Sequence, residues 1–355
     1  MPIPFVSVLI DTYNHERFIE DAIVSVLEQD LRPSEMEILV VDDGSTDDTQ
    51  AIVRKFAPRV RYLYKANGGQ ASAFNLSIPE TRGEIVAFLD GDDWWAKDKL
   101  HIVLDALAQH PEFGAVGHGI FEADSETGSV LPIRPRAEYR LRLASPDDAT
   151  LFSQLACFLG TSRLTIRKRV LRQILPIPKE LEVEADEFMF SLAVAISGAI
   201  VVESPLTYYR LHANNLFQFR AADERKLLRK RDVMSCLVRE LPPRLAAVGV
   251  PPNVIDAVIK PAWIQFERLR LVLGEGRPWD TFRVERDAYS VAYQKTTLAY
   301  RAFKAGVLLA TLLLPPRQFY RAKNWYAAIG LRRLRKILGE PIPAAPIVAG
   351  EKSDF

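Results

Sequence analysis

Hydrophobic positions over the first hundred residues switch between two periods. Phe5 to Ile10, apolar except at Ser7, is a run of strand length. Phe18, Ile19, Ala22, Ile23, Val26 and Leu27 then recur at the spacing of one helical face. A strand is next expected over Glu37 to Val41, a helix from about Asp47 to Phe56 after the turn and cap residues Gly44-Ser45-Thr46, and a third strand over Val60 to Tyr64. Gln70 to Ile78 has helical spacing, and Glu84 to Leu89 is a fourth strand-length run. Strands alternating with short helices predict an α/β domain with a mainly parallel sheet covered on both faces.

Such open sheets bind ligands in the crevice beyond the carboxyl ends of their strands. Three of the four expected strands end there in acid: Asp11, then Asp42 and Asp43, then Asp90, Asp92 and Asp93. First-turn acids that offset a helix dipole are an ordinary alternative for the Asp42 pair. They account less well for Asp90, which belongs to the strand end itself and is followed at once by Trp94-Trp95.

From about 100 to 220 the pattern is mixed. Helices are expected over His101 to Gln109, Asp147 to Leu155, Lys168 to Leu175 and the strongly apolar Glu187 to Ile196, and strands over Gly114 to Phe121 and Ala199 to Glu203. Asp124 to Leu143 reads as a polar loop with strand segments. After about Ala221 strand signals fade and Arg-rich helical patterns take over, so the expected organisation is a domain over 1–220, a helical region over 221–340 and a disordered tail over 341–355.

At 355 residues with 48% hydrophobic and 26% charged residues, the chain is long enough for two domains and globular in composition. Its formal net charge of +1 gives no whole-chain case for nucleic-acid binding, and none is expected. The total hides segregation: residues 301 to 340 carry nine basic side chains against the single acid Glu340, a local +8, which leaves about −7 elsewhere. Cys157 and Cys236 sit in no metal-binding or paired spacing, no window is apolar enough to span a bilayer, and the N-terminus lacks a basic leader. The expectation is a cytoplasmic chain without a transmembrane pass.

A carboxylate-lined rim can accept a diphosphate only through a divalent cation, and Mg²⁺ or Mn²⁺ typically takes one or two carboxylates plus substrate phosphates. Asp90-Gly91-Asp92-Asp93 has the residues for that. Together with it, VSVLIDTYNHERFIEDAIVSVLEQ, EILVVDDGSTDDT and NGGQASAFNLSI, in this order and spacing, resemble the nucleotide-sugar-binding half of an inverting family 2 glycosyltransferase of GT-A fold. ADEFMFSLA and YYRLHANN extend the resemblance to about residues 4–217, short of the C-terminal third.

The resemblance implies roles position by position. Asp11 and Tyr13 line the nucleotide pocket, Asp42 accepts from the N3–H of a uracil-type base, and Asn75 and Asp90 belong to the donor site, Asp90 serving the ribose. Asp92 is the implied metal ligand, with Asp93 as its neighbouring substitute, and Mn²⁺ or Mg²⁺ the implied cofactor. Many members place Arg before the Asn of the third motif; Phe74 stands there, so no phosphate contact is carried over at that position. The general base is an acid at the mouth of an apolar helix, here Asp186, with Glu184 and Glu187 beside it as alternatives and an ordinary acidic helix start as the plain one. Arg210 then closes over the diphosphate and His212 contacts metal or phosphate, with Asn215 in the same motif; Trp94 and Trp95 are offered to sugar faces or to the core.

The implied activity is metal-dependent transfer of a sugar, from a UDP-sugar by the Asp42 reading, to a saccharide or lipid-linked acceptor in polysaccharide or glycoconjugate assembly. Phe319, Tyr320, Trp325 and Tyr326 interleave with Arg317, Arg321 and Lys323, and Leu331, Leu334, Ile337 and Leu338 with Arg332, Arg333, Arg335 and Lys336. That pattern suits a helix lying on an anionic membrane, or a bundle with a basic solvated face. Ala305 to Leu314 is apolar but too short to span. Two other functions compete. A sugar nucleotidyltransferase needs a Gly-rich basic loop after the first strand, and DTYNHERF has no Gly; a non-catalytic membrane-associated protein would not need the intact acidic motifs.

Overall fold

The structure is a computed structural model that describes residues 6–212, 224–292, 298–328 and 348–349. Its strands are β1 (Val6–Thr12), β2 (Met36–Asp42), β3 (Val60–Tyr64), β4 (Ile85–Asp90), β5 (Trp94–Trp95), β6 (Ala115–Asp124), β7 (Val130–Pro135), β8 (Tyr139–Leu141), β9 (Thr165–Arg167), β10 (Ala199–Leu211) and β11 (Val348–Ala349). The helices are α1 (Ile19–Leu27), α2 (Thr49–Arg54), α3 (Gln70–Glu80), α4 (Lys99–Gln109), α5 (Pro146–Leu155), α6 (Lys168–Ile174), α7 (Ala185–Ser197), α8 (Glu224–Ala247), α9 (Pro252–Val272), α10 (Pro278–Ala292), α11 (Leu298–Leu313) and α12 (Pro316–Ala328).

The sheet runs β11-β7-β6-β9-β4-β1-β2-β3, with β10 pairing β5, β6 and β8. The half formed by β3, β2, β1 and β4 is wholly parallel. Beyond β4 the sheet is mixed, because β9 runs antiparallel to both β4 and β6 while β10 runs parallel to β6. The segment 124–143, expected as a polar loop with strand segments, supplies the short strands β7 and β8. Burial follows the apolar runs: Val6, Val8 and Ile10 of β1 and Val40 of β2 are fully buried, packed with Ile19, Ala22, Ile23 and Val26 of α1. The helical period at the start of the chain thus buries the face it predicts.

The chain after β1 moves through β2 and β3 on one side, then returns through α3 to place β4 on the other side of β1. This reversal opens a crevice where the carboxyl ends of β1 and β4 adjoin. Asp11 and Asp90 are register partners at that point, and Thr12 is the partner of Asp42.

The described residues form two compact units. One holds 6–212 with 240–258 and 348–349; the other holds 224–239, 259–292 and 298–328. The second unit has its own core of Ile264, Leu271, Val284, Phe319 and Tyr320. Within it buried Glu285 of α10 accepts from Arg268 of α9 (2.9 and 3.2 Å), from Tyr320 (3.1 Å) and from Lys323 of α12 (2.6 Å). Asn215, Leu331 to Leu338 and nearly all of the expected tail lie outside the described residues, as do the side chains of Trp325 and Tyr326.

Candidate active site

Two turns build the acidic rim. After β4 the chain doubles back at Gly91, where an added Cβ would lie 2.7 Å from Thr12 Oγ1 and 2.8 Å from His15 Nδ1; only glycine lets the turn close against β1. After β1, Asn14 adopts the left-handed conformation (φ 56°) and its side-chain oxygen accepts from the Thr46 N–H at 2.8 Å, tying the β1 and β2 loops together.

On this frame Asp11, Asp90, Asp92 and Asp93 crowd together. Burial, reinforced by the Asp92 charge, pushes the Asp11 carboxyl up to about 7, and its Oδ1 is buried with no hydrogen-bond partner. Asp90 is raised well above the carboxylate range by burial and by the charges of Asp11, Asp92, Asp93 and Asp186. Burial opposes ionisation of Asp92 too, but the hydrogen bond from His212 and the neighbouring His15 outweigh it and hold Asp92 below its ordinary value. Its Oδ2 lies 3.1 Å from His212 Nε2 and 3.9 Å from His15 Nε2. Burial lowers the His15 imidazole. Asp93 is turned inward: it accepts from Ser162 Oγ at 2.6 Å and from the Arg210 N–H at 2.9 Å, and burial with the Asp92 charge raises it to about 7. It is thus a brace for the turn rather than a substitute for Asp92.

A segment that the sequence pattern did not single out, Thr161 to Arg163, joins this rim to Asp186. Ser162 Oγ also contacts Asp90 Oδ2 (3.2 Å), and the Ser162 carbonyl accepts from Trp95 Nε1 (3.0 Å) and Thr207 Oγ1 (2.7 Å). Its neighbour Thr161 donates its N–H to Asp186 Oδ2 at 3.1 Å. Asp186 lies in the first turn of α7, its Oδ1 accepting from the Glu187 N–H at 2.9 Å. Gln70, at the start of α3, closes the connection. Its amide donates to Thr161 Oγ1 and its carbonyl accepts from the Ala185 N–H, both at 3.1 Å, and its amide dipole works against the rise of the Asp11 carboxyl. Asp43 holds the preceding loop by accepting from the N–H groups of Gly68 (3.0 Å) and Gly69 (2.7 Å) and from Lys65. At Gly69 (φ 81°) a Cβ would lie 2.4 Å from the Glu182 backbone, so a side chain there would push α3 away from the segment leading into α7.

The remaining expected residues are distributed differently. Tyr13 is 45% exposed just beyond β1. Asp42 is fully buried, with one oxygen accepting from Tyr62 Oη and the other from the Ser45 N–H, both at 2.7 Å. Asn75 points away from the rim, its amide pairing with both the carbonyl (2.7 Å) and the N–H (2.8 Å) of Ile177. The Arg210 guanidinium is clamped between the rings of Phe18 (4.8 Å) and Trp94 (4.4 Å), donating to the Asp92 carbonyl and to Asp21. Trp94 stacks on Tyr208 and borders a cavity of about 360 Å³ with Asp21, Glu28 and Arg210, whereas Trp95 is buried. His15, Thr161, Ser162 and Gln70 are the site residues the sequence pattern missed. His15 alone carried a signal, standing four residues past an acidic strand end.

Among the described residues no group of three His, Cys, Asp or Glu side chains forms a ready-made metal cage. Asp92 and His212 converge as a pair, and Asp11 offers an unpartnered oxygen in the same acidic pocket. One or two protein donors beside substrate oxygens is the way Mg²⁺ and Mn²⁺ are commonly held, so the residues present fit such an ion.

The family model described as glycosyl transferase family 2 matches residues 7–175. An uncharacterized glycosyltransferase of Nostoc sp. is 33% identical over 218 residues, 59% of this chain and 66% of that protein. A putative teichuronic acid biosynthesis glycosyltransferase of Bacillus subtilis is 36% identical over 126 residues, 34% of this chain and 49% of that protein. The chain therefore spans less than two thirds of the length of either relative. In fold it is similar to residues 1–349 of S. aureus TarS, solved in complex with UDP, with a TM-score of 0.52 at 18% identity over 90% of this chain and 91% of that one.

Proposed function

Through residues 7–175 the chain belongs to glycosyl transferase family 2 and has the GT-A type of fold, and on that premise we propose that it transfers a sugar from a nucleotide diphosphate sugar to an acceptor hydroxyl with inversion at the anomeric carbon. The observation that carries the proposal is the link of Asp186, through Thr161 and Ser162, to the Asp90–Asp93 turn at the β1/β4 crevice. Asp92 and His212 would hold Mn²⁺ or Mg²⁺, and a bound divalent cation supplies the charge that offsets the departing diphosphate.

The chain's own residues do the rest. Asp186 takes the proton of the acceptor hydroxyl as that oxygen bonds to the anomeric carbon, and the bond to the diphosphate breaks with its electron pair leaving on the nucleotide. The acidic rim keeps a cation-bound diphosphate in preference to a free one, since buried carboxylates repel an uncompensated anion. TarS was solved with UDP, which supports a UDP-sugar as donor; Asp42 is the implied base contact. Each carboxylate oxygen keeps a second lone pair, and since Asp42 is fully buried beneath Tyr62 and Ser45, base binding there requires one of those residues to move aside. The acceptor is proposed to be a saccharide or lipid-linked saccharide in polysaccharide or glycoconjugate assembly, and the cation-rich C-terminal region suits a peripheral place on an anionic membrane. The test is a screen of UDP-sugars for metal-dependent donor hydrolysis and transfer. Loss of both in Asp186→Asn and Asp92→Asn with UDP binding or folding preserved is expected, and full transfer by Asp186→Asn would refute its role as base.

A further inference from the structure

The C-terminal unit leaves one helix face uncovered. On α11 the exposed residues are Arg301, Ala302, Ala305, Gly306, Leu309, Leu312 and Leu313. Apart from Arg301 they recur three and four residues apart, so they form one apolar stripe along the helix. Leu309 is 62% exposed and Leu313 82%, whereas Val307 and Leu314, on the other side, pack against the Ile264, Leu271 and Phe319 core. Exposed leucines occur singly on most proteins, but an aligned series along a helix marks a surface that meets something apolar.

The charge carried by α11 and α12 says what that is. From 298 to 328 the sequence has five basic residues and no Asp or Glu. Lys323 pairs with Glu285, while Arg301, Arg317 and Arg321 are exposed. A second copy of the chain would set these cations against one another. An anionic lipid surface offers an apolar interior to the leucines and negative headgroups to the arginines. At 16 residues, about 24 Å, α11 is suited to lie along such a surface, and no helix among the described residues is long and apolar enough to cross a membrane.

We propose that α11 docks the protein onto anionic membranes through Ala302, Ala305, Leu309, Leu312 and Leu313, with Arg301, Arg317 and Arg321 engaging the headgroups. This deepens the membrane element of the proposed function and relocates it. Phe319 and Tyr320, the aromatics that the sequence pattern offers to an interface, are only 5% and 4% exposed and belong to the core.

The test is flotation of the full chain with vesicles of phosphatidylcholine alone and of phosphatidylcholine with phosphatidylglycerol, without nucleotide or metal. Because no transfer is assayed, the result is independent of whether Asp186 is a base. Binding to the anionic vesicles alone, weakened at high salt, is expected, with partitioning reduced roughly tenfold or more in the double variant Leu309→Glu/Leu313→Glu. Arg317→Glu/Arg321→Glu should lose the preference for anionic vesicles. Thermal melts of each variant show that the unit remains folded. Equal flotation of the leucine variant and the wild type, or no flotation of the wild type, overturns the proposal. So does a wild-type dimer that Leu309→Glu/Leu313→Glu converts to monomer in light scattering, which would give the face to a second copy.

Discussion

Asp11 and Asp90 are register partners on adjoining parallel strands at the crevice. Both carboxyls are raised, Asp11 to about 7, by burial first and neighbouring negative charge second. A carboxyl whose folded value lies above its unfolded one costs stability progressively as pH rises between the two. Asp11→Asn should therefore be more stable than the wild type at pH near 8 without divalent cation, by up to about 4 kcal/mol, and the gap should shrink as pH falls towards 4. Thermal melts across that range check it; a variant no more stable at the alkaline end would show that the pair carries no strain. The same variant should gain less stability than the wild type from added Mn²⁺.

His212 and Asp92 meet at 3.1 Å, and the proposed function makes them joint holders of the metal. His212→Ala is expected to raise the Mn²⁺ concentration for half-maximal activity by about tenfold to a hundredfold, as lost ligand-shell residues commonly do. Asp93→Ala should instead lower the melting temperature at pH 6, where the raised Asp93 carboxyl is largely protonated, and leave that concentration nearly unchanged, since the Ser162 hydroxyl and the Arg210 N–H lose their acceptor. A metal titration with a melting curve for each variant separates the two outcomes.

Gln70 bonds both Thr161 and the Ala185 backbone from one side chain, and Thr161 in turn holds Asp186. Gln70→Leu should lower kcat by about tenfold or more with the donor KM within a factor of about two, because the base is misplaced while the donor still binds. Gln70→Glu adds a carboxylate beside Asp11 and close to Asp186, so the acid limb of the kcat profile should move to higher pH. An unmoved limb together with wild-type kcat in Gln70→Leu would confine Gln70 to a structural role, and an inactive Asp186→Asn alongside would leave the base assignment standing.

Glu285 ties α9, α10 and α12 together through Arg268, Tyr320 and Lys323. Burial alone would raise its carboxyl, but the Lys323 and Arg268 charges prevail and hold it below the ordinary value. With the folded value depressed, its contribution is present above the unfolded pKa of about 4.5 and is lost as pH falls through the folded one. Glu285→Ala should cost about 3 kcal/mol near neutrality by leaving two cations without their buried partner, and the deficit should narrow in acid below pH 4 or so. Denaturant unfolding followed at both pH values measures it.

The parallel half of the sheet was legible in the sequence because its determinants are local. Apolar runs of strand length alternate with helical spacing, and both burial patterns follow directly. Asp11, Asp90 and Asp92 were legible for the same reason: strand ends in such a sheet share one rim. Of the mixed half, β6 and the start of β10 were legible as apolar runs, but the pairing was not. β7 is largely exposed and β8 and β9 are three residues long each; their pairing depends on partners distant in the chain. Nor could spacing separate Asp92, which faces His212, from Asp93, which faces Ser162, although the two are adjacent.

Tertiary contact also decided what the long-range residues do. Asn75 and Gln70 lie on one short helix, yet the fold sets Asn75 on the Ile177 backbone and Gln70 on the Asp186 segment. In the C-terminal unit, the sequence marks 305–314 as an apolar run and 317–326 as basic and aromatic, but only packing reveals that Phe319 and Tyr320 fill the core while Leu309 and Leu313 remain outside. Sequence determines which faces are apolar and which strand ends are acidic, because these depend on neighbours along the chain. Which apolar face is covered, and which carboxylate meets which partner, depends on elements far apart in sequence, and the folded structure alone settles it.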